Sequence, residues 1–295
     1  MKDYIVRATA AGGTVRVFAA VTTNMVEKAR ITHDLSPVAT AALGRTLTAI
    51  AMMSLMLKNE SDTITLQIKG DGPLGGIITV ADGASKIRGY VNNPKVFIPL
   101  NNEGKLDVAS AVGKKGYLNL IRDMGLKEPY IGFVDLISGE IAEDISYYFA
   151  HSEQIPTALA LGVLVDTDES VISAGGYLIQ LMPDADEGLI NYIENTIRAI
   201  PSITEMISYG ETPETIMEIL FGEKDLIISD RTETEYVCSC SREKMERNLI
   251  SLGVKEIQDI IDEQHSAELV CHFCNSTYNF NETELKKLVR EIKKK

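Results

Sequence analysis

The chain has 295 residues, long enough for two or three domains, and its 45% content of hydrophobic residues is sufficient to form buried cores. A net charge of −13 argues against nonspecific binding of the whole chain to nucleic-acid phosphates. All four cysteines lie between positions 238 and 274. In a reducing cytosol such a cluster indicates metal binding or redox chemistry rather than structural disulfides.

The amino terminus and the most apolar stretch both favour a cytoplasmic protein. Residues 1–7 alternate apolar and polar side chains, as a strand does, and lack the apolar run of a secretory signal. The most apolar stretch, 41–57, contains Arg45 and is shorter than the roughly 20 residues that a membrane-spanning helix needs. We therefore interpret it as a buried helix.

Strand-like and helix-like patterns alternate irregularly over residues 1–182. Asn24 is the predicted cap of a helix that runs to His33, and Ser36-Pro37 starts a second helix through the apolar stretch. Alternating apolar residues predict strands at 4–9, 14–19, 63–68, 76–80, 85–91, 159–165 and 171–180. Because strands come in runs, the predicted fold class of this segment is α+β.

Residues 183–230 differ sharply in composition. They contain eleven acidic and two basic residues, so the segment carries a net charge of −9. Leu189, Ile193 and Ile197 nevertheless repeat at helical spacing, and a second short helix is predicted at 212–222. Short helices with this much like charge are marginal alone and need a partner surface for their apolar stripes.

Two interpretations of this acidic segment stay open at the level of sequence. It is either a solvated helical connector or a metastable linker that folds only while docked on another surface. In the second case the stripe of Leu189, Ile193 and Ile197, and the surface beneath it, are candidate binding surfaces. Met52, Met53 and Met56 are also considered for that surface, although ordinary core packing is the favoured interpretation for them.

The four cysteines form two close pairs, Cys238-Ser239-Cys240 and Cys271-His272-Phe273-Cys274, which are separated by thirty residues. Two such pairs joined by a folded insert supply the four thiolates that a closed tetrahedral zinc site needs. His265 and His272 lie nearby, but four thiolates already saturate the metal, so both histidines are interpreted as bystanders. The site predicted from the sequence is therefore a Zn²⁺ ion held by four cysteines.

The segment that carries these cysteines, 231–295, is too small for an extensive core. Metal binding would therefore supply much of its folding free energy. A helix is predicted to start at Ser241, a strand at 278–280 and a charged terminal helix at 283–295. The spacing within either cysteine pair is compatible with a local disulfide. Because thiolates are both metal ligands and targets of oxidants, oxidation would eject the metal and unfold this tail.

Two other functions compete with this interpretation. A zinc-ribbon protein that binds nucleic acid would carry a basic and aromatic stripe, whereas 231–295 has eleven basic and twelve acidic residues. A thiol–disulfide oxidoreductase would place its Cys-x-x-Cys at a helix start within a thioredoxin-like pattern, and the second cysteine pair would have no role. Neither has the support of the four-cysteine pattern, and no catalytic residue is assigned.

The cysteine pattern resembles that of the bacterial redox-regulated heat-shock holdases, the 33 kDa chaperonin family. The resemblance extends in order along nearly the whole chain. It is carried, besides the cysteines, by the segments 42–45, 70–73, 89–94, 152–156 and 175–183. It implies an α+β chaperone core domain at 1–182, an acidic metastable helical linker at 183–230 and a redox-switch domain with zinc at 231–295.

The resemblance also implies a mechanism. The reduced protein binds zinc through Cys238, Cys240, Cys271 and Cys274 and is inactive. Oxidation forms the disulfides Cys238–Cys240 and Cys271–Cys274, releases zinc and unfolds the tail and the linker. The oxidised form is expected to be a homodimer that holds unfolding proteins without ATP, is not an enzyme, and passes its clients to foldase chaperones.

Overall fold

A computed structural model describes residues 2–293 and divides the chain, by its internal contacts, into two units. The first unit is Met1–Val237 and the second, called here the cysteine unit, is Cys238–Lys295. The sequence pattern puts the start of the cysteine segment at 231. The contacts put it at 238, because the residues just before Val237 pair with strands of the first unit.

One sheet of the first unit is antiparallel and has the strand order β10-β1-β2-β9-β8. Its strands are β1 Tyr4–Ala10, β2 Val15–Val21, β8 Thr157–Val165, β9 Val171–Leu181 and β10 Ile227–Glu233. The predicted hairpin of β1 and β2 is confirmed, with Tyr4 opposite Val21 and Ala10 opposite Val15. The edge strand β10 pairs with β1 and brings the end of the acidic segment back to the amino terminus.

A second sheet has the strand order β11-β5-β4-β3-β6-β7. Its strands are β3 Thr63–Lys69, β4 Ile77–Asp82, β5 Lys86–Val91, β6 Tyr117–Asp123, β7 Tyr130–Asp135 and β11 Glu235–Tyr236. All neighbours are antiparallel except β11, which lies parallel to β5. The runs of strands confirm the predicted α+β class.

The helices of the first unit flank these sheets. They are α1 Thr23–His33, α2 Pro37–Ser54, α3 Val108–Val112, α4 Ile141–His151, α5 Glu187–Ala199, α6 Ile203–Ser208 and α7 Pro213–Phe221. Helix α2 contacts strands of both sheets and is buried along almost its whole length, as its apolar sequence predicts. Met52 and Met53 lie fully buried in this core, in agreement with the favoured interpretation. Among the described helices, none has the length and apolarity to cross a membrane.

The predicted cap of α1 was wrong, whereas the predicted start of α2 is confirmed. Helix α1 begins at Thr23, and the backbone N–H groups of Asn24 and Met25 donate to the carboxylate of Asp3, at 3.2 and 2.5 Å. Ser36 precedes α2 as expected, but its hydroxyl donates to the carbonyl of Val96 at 2.6 Å. Both partners come from distant parts of the chain, so local sequence does not reveal them.

The acidic segment forms three helices, α5 to α7, called here the linker helices. They pack on the face of the five-stranded sheet that is turned away from α2 and complete a second hydrophobic core. Ile193 is buried there, and Leu189 and Ile197 are partly buried against the same cluster. The apolar stripe on α5 therefore belongs to the core that also contains residues of β1, β2 and β9, and it does not cover Met52 or Met53, which belong to the other core.

The last residues of the first unit are firmly anchored in it. Tyr236 is 2% exposed, and its hydroxyl donates to the Gly89 carbonyl at 2.7 Å and lies 2.7 Å from His33 Nε2. The Val237 N–H donates to the carbonyl of Ile87 at 2.8 Å. The chain is thus fixed to the core of the first unit immediately before Cys238.

The cysteine unit consists of a helical pair, a two-stranded sheet and a terminal helix. Its elements are α8 Arg242–Leu252, α9 Val254–Gln264, β12 Ser266–Val270, β13 Thr277–Asn281 and α10 Glu282–Ile292. Ser241 caps α8 as predicted, its hydroxyl accepting the Lys244 N–H. The predicted terminal helix is found, although Lys294 and Lys295 lie outside the described residues. A small core contains Leu249, Ile257, Phe280 and Leu285.

Candidate metal centre

Local turns position the four cysteines within the cysteine unit. Cys238 and Cys240 precede α8, whereas Cys271 follows β12 and Cys274 lies in the turn that leads to β13. In that turn the N–H groups of Cys274 and Asn275 donate to the Cys271 carbonyl at 3.2 and 2.8 Å. This geometry brings Cys271 and Cys274 to the same side of the hairpin.

All four sulfur atoms converge on one point. The Sγ atoms of Cys238 and Cys271 are 3.7 Å apart, those of Cys240 and Cys274 are 3.3 Å apart, and all four lie within 4.8 Å of one another. A tetrahedral ion with metal–sulfur bonds of 2.3 Å would separate its ligands by about 3.8 Å. The donor set and its spacing therefore fit a four-thiolate metal centre.

The nearby histidines are not part of this cluster. Among the described residues, the group of metal-ligating side chains here comprises the four cysteines alone. His265 instead lies 3.5 Å from the carboxylate of Glu282, and His272 is exposed. This arrangement agrees with the interpretation of both histidines as bystanders.

The metal-free thiols differ in acidity. Burial raises the pKa of the Cys238 thiol and that of the Cys271 thiol. Burial would also raise the pKa of Cys274, but hydrogen bonds from the Ser276 side chain and backbone and from other cysteines lower it to about 7. Cys274 is therefore the most readily ionised of these three groups, and close packing of several thiolates favours a cation between them.

Two side chains that support the centre were missed from the sequence. Lys244 Nζ donates to the carbonyl and the hydroxyl of Ser239, at 2.5 and 2.9 Å, and so braces the turn between Cys238 and Cys240. The hydroxyl of Tyr278 lies 3.1 Å from Cys240 Sγ. In the sequence, Lys244 lies in the first turn of a predicted helix and Tyr278 in a predicted strand, and neither pattern indicates a contact with the cysteines.

Known proteins match the chain over its whole length. A family model described as Hsp33 protein matches residues 3–281. The 33 kDa chaperonin of Acetivibrio thermocellus is 58% identical over 292 residues, covering 99% of this chain and 98% of the relative. That of Ruminiclostridium cellulolyticum is 54% identical and covers 99% of each chain.

A solved structure gives the same result. The crystal structure of the 33 kDa chaperonin (heat shock protein 33 homolog) of Thermotoga maritima matches with a TM-score of 0.92 at 40% identity, and the match covers all of both chains. The relatives are named as chaperonins, which removes the oxidoreductase alternative. The resemblance seen in the cysteine pattern is thereby confirmed: the chain belongs to the Hsp33 family of chaperones and is not an enzyme.

Proposed function

We propose that this protein is an ATP-independent holdase that is switched on by oxidation and binds unfolding proteins during oxidative and heat stress. The observation that carries the proposal is the convergence of four thiols in a small unit with a small core. The same sulfur atoms that can hold a metal ion can also be joined to each other. The two arrangements exclude one another, which is the property that a switch needs.

The resident metal is proposed to be Zn²⁺, held by Cys238, Cys240, Cys271 and Cys274. Four thiolates in a tetrahedral arrangement are the common ligand set of structural zinc. When bound, zinc would balance the thiolate charge and cross-link the segment before α8 to the turn between β12 and β13. Because the unit has so small a core, this cross-link supplies much of its stability.

Oxidation is proposed to join Cys238 to Cys240 and Cys271 to Cys274. In each pair two thiolates lose two electrons to one molecule of peroxide, which takes up two protons and becomes two molecules of water. In the folded unit, sulfur contacts of 3.7 and 3.3 Å instead join one pair to the other. Local pairing is favoured once the unit unfolds, because cysteines two or three positions apart in a flexible chain meet far more often than those over thirty apart.

Loss of order in the cysteine unit is proposed to spread to the linker helices. These helices carry most of the negative charge and depend on packing against β1, β2 and β9. Their release would expose the stripe of Leu189, Ile193 and Ile197 and the sheet face beneath it, which together offer apolar surface to clients. The same exposed surface would favour a homodimer. Clients would pass to foldase chaperones after reduction, in the cytoplasm.

The proposal is tested by following three quantities in one sample. Zinc content, free thiols and suppression of citrate synthase aggregation are measured before and after mild oxidation with warming. We expect loss of the bound zinc and of four thiols, with a gain of holdase activity. Equal suppression by the reduced, zinc-loaded protein would contradict the switch but leave the metal centre standing.

The pairing of the sulfurs has its own test. Peptides from the oxidised protein, cleaved between residues 241 and 270 without reduction, separate local from long-range disulfides by mass. We expect the pairs Cys238–Cys240 and Cys271–Cys274. Recovery of Cys240 joined to Cys274 would show instead that oxidation takes place in the folded unit.

A further inference from the structure

Tyr278 connects the metal centre to the folded hairpin of the cysteine unit. It lies in β13 opposite Leu269 of β12, and its ring is partly buried against the small core. Its hydroxyl reaches 3.1 Å from Cys240 Sγ, a ligand candidate that lies 38 positions earlier in the chain. Strand β13 thus contacts the sulfur of Cys240 through the tyrosine hydroxyl.

The direction of this hydrogen bond follows from the chemistry of the sulfur. A metal-bound cysteine is a thiolate and has no proton to donate, so the tyrosine O–H must be the donor. The hydroxyl keeps its proton at neutral pH, because the pKa of a tyrosine hydroxyl is ordinarily about 10. Hydrogen bonds to a charged acceptor are about twice as strong as those between neutral groups.

The other three sulfurs have different donors. Cys238 accepts from the backbone N–H of Cys240, and Cys271 accepts from that of Phe273. Cys274 contacts Ser276, whose hydroxyl lies 3.2 Å away in the adjacent turn. Apart from the contacts of the cysteines with one another, these donors are local in sequence, whereas Tyr278 belongs to a strand that contributes to the core. Because Cys240 contacts Tyr278, metal binding by Cys240 therefore depends on the folded hairpin.

We propose that Tyr278 is a positioning residue of the metal centre, whose hydroxyl donates to the Cys240 thiolate, retains the ion and slows oxidation of that sulfur. The proposal rests on the proposed function, because it requires Cys240 to be a metal ligand. A donor on a ligating thiolate draws electron density from the sulfur, so the sulfur becomes a weaker nucleophile toward peroxide. Unfolding of the hairpin would remove the donor and leave Cys240 more reactive.

The test compares three forms of the reduced, zinc-loaded full chain. Tyr278→Phe removes the hydroxyl and keeps the ring, and Tyr209→Phe is the matched control, since Tyr209 is 79% exposed in the first unit. Zinc transfer to an excess of a colorimetric chelator is timed, as is thiol loss in dilute peroxide. We expect both to be roughly tenfold faster in Tyr278→Phe, the scale on which outer-sphere partners of metal ligands act. Tyr209→Phe should match the wild type.

A spectroscopic reading separates the hydrogen bond from a general loosening of the fold. In the cobalt-loaded proteins, loss of a donor to a thiolate should move the sulfur-to-cobalt charge-transfer band of Tyr278→Phe to longer wavelength. Unchanged band position and unchanged zinc transfer would overturn the role of Tyr278 while leaving the metal centre intact. A wild-type protein that binds no zinc would overturn both this role and the proposed function.

Should Tyr278→Phe fail to fold, 3-fluorotyrosine incorporated at position 278 replaces it in the test. This residue keeps the hydroxyl and makes it a stronger donor. Zinc transfer slower than in the wild type would then support the proposal. Equal or faster transfer would overturn it.

Discussion

The turn between Cys238 and Cys240 contains a single residue, Ser239, and Lys244 holds it from the first turn of α8. The ammonium group of Lys244 contacts both oxygen atoms of Ser239. Because Ser239 is the single residue between Cys238 and Cys240, these contacts hold the shape of the turn that carries both cysteines. Lys244 therefore supports the geometry of the site.

Replacement of this lysine is expected to weaken metal binding. Lys244→Met keeps most of the side-chain length but removes the charge and both hydrogen bonds. We expect roughly a tenfold loss of zinc affinity, measured by competition with a chelator of known affinity. Lys255→Met, at an exposed position of α9, is the matched control. Equal affinities in the two variants would show that Lys244 has no part in the centre.

A buried carboxyl in the first unit predicts a dependence of stability on pH. Asp144 is fully buried, and its Oδ1 accepts the N–H groups of Ile137 and Ser138 at 2.8 and 3.1 Å. Within the described residues its Oδ2 has no hydrogen-bond partner. Burial raises the pKa of Asp144 above its usual 3.8 despite these hydrogen bonds. The folded state therefore binds this proton more tightly than the unfolded state does.

The sign of the effect follows from that difference. As pH rises above 3.8, the charged carboxylate costs more in the folded state, so the wild type loses stability relative to Asp144→Asn. Each unit of elevated pKa corresponds to about 1.4 kcal/mol. Urea unfolding of both proteins between pH 4 and pH 7 measures the difference in stability, with Glu128→Gln, at an exposed position between β6 and β7, as control. A constant difference between wild type and Asp144→Asn across this range would refute the expectation.

At the level of single residues, the sequence was sufficient to predict the candidate metal ligands but not the side chains that support them. Cysteine pairs are recognisable because their spacing is local. The contacts of Tyr278 with Cys240 and of Asp3 with α1 join residues 38 and about 20 positions apart, so they depend on the tertiary fold. The paired strands and the helix ends that make these contacts have no local signature.

The linker helices are the elements that the proposed switch must release. Their acidic surfaces repel one another, and their stability comes from apolar residues packed on the sheet, chiefly on α7. Leu220 is 1% exposed on this helix, whereas its neighbour Ile219 is 42% exposed. Truncation of Leu220 therefore disturbs the packing of α7, whereas truncation of Ile219 changes the same helix at an exposed position.

A packing defect in α7 should activate the protein without oxidation. Truncation of a buried leucine to alanine costs about 2–5 kcal/mol, enough to loosen a marginal helix. We expect Leu220→Ala to suppress aggregation of citrate synthase while it is reduced and retains its zinc. Ile219→Ala should behave as the wild type. The expectation fails if Leu220→Ala keeps its zinc and has unfolded linker helices but is inactive. Release of the linker helices would then not be sufficient for activity.

Helices and strands were predicted well where their sequence pattern is local, and poorly where pairing with a distant strand determines them. The hairpin of β1 and β2, the buried helix α2 and the helix α7, which ends before Gly222, follow from periodicity and capping residues. The edge strand β10 was missed because its sequence is polar and its residues are mostly exposed. Backbone pairing with β1 holds it, together with ion pairs such as Arg7 with Asp230, and neither appears in a hydrophobic pattern.

At the scale of the whole molecule, the two units differ in how they are stabilised. The first unit has two extensive cores on either side of its five-stranded sheet. The cysteine unit has a small core into which the cysteines themselves pack. Loss of the metal should therefore unfold the cysteine unit and leave the central strands folded. The anchor at Tyr236 belongs to the larger core and is expected to stay in place.

The division into core domain, metastable linker and switch domain remains a prediction at this scale. The sequence placed its boundaries by changes in charge and cysteine content. In the reduced structure the linker helices are part of the first unit, because their apolar faces complete its second core.

Hydrogen exchange before and after oxidation tests the central claim most directly. Deuterium uptake is measured along the reduced, zinc-loaded chain and along the oxidised, metal-free chain. We expect protection to be lost in the cysteine unit and in the linker helices, and to persist in β1, β2 and β9. A metal-free, oxidised protein whose cysteine unit and linker helices remain as protected as in the reduced form would contradict the account.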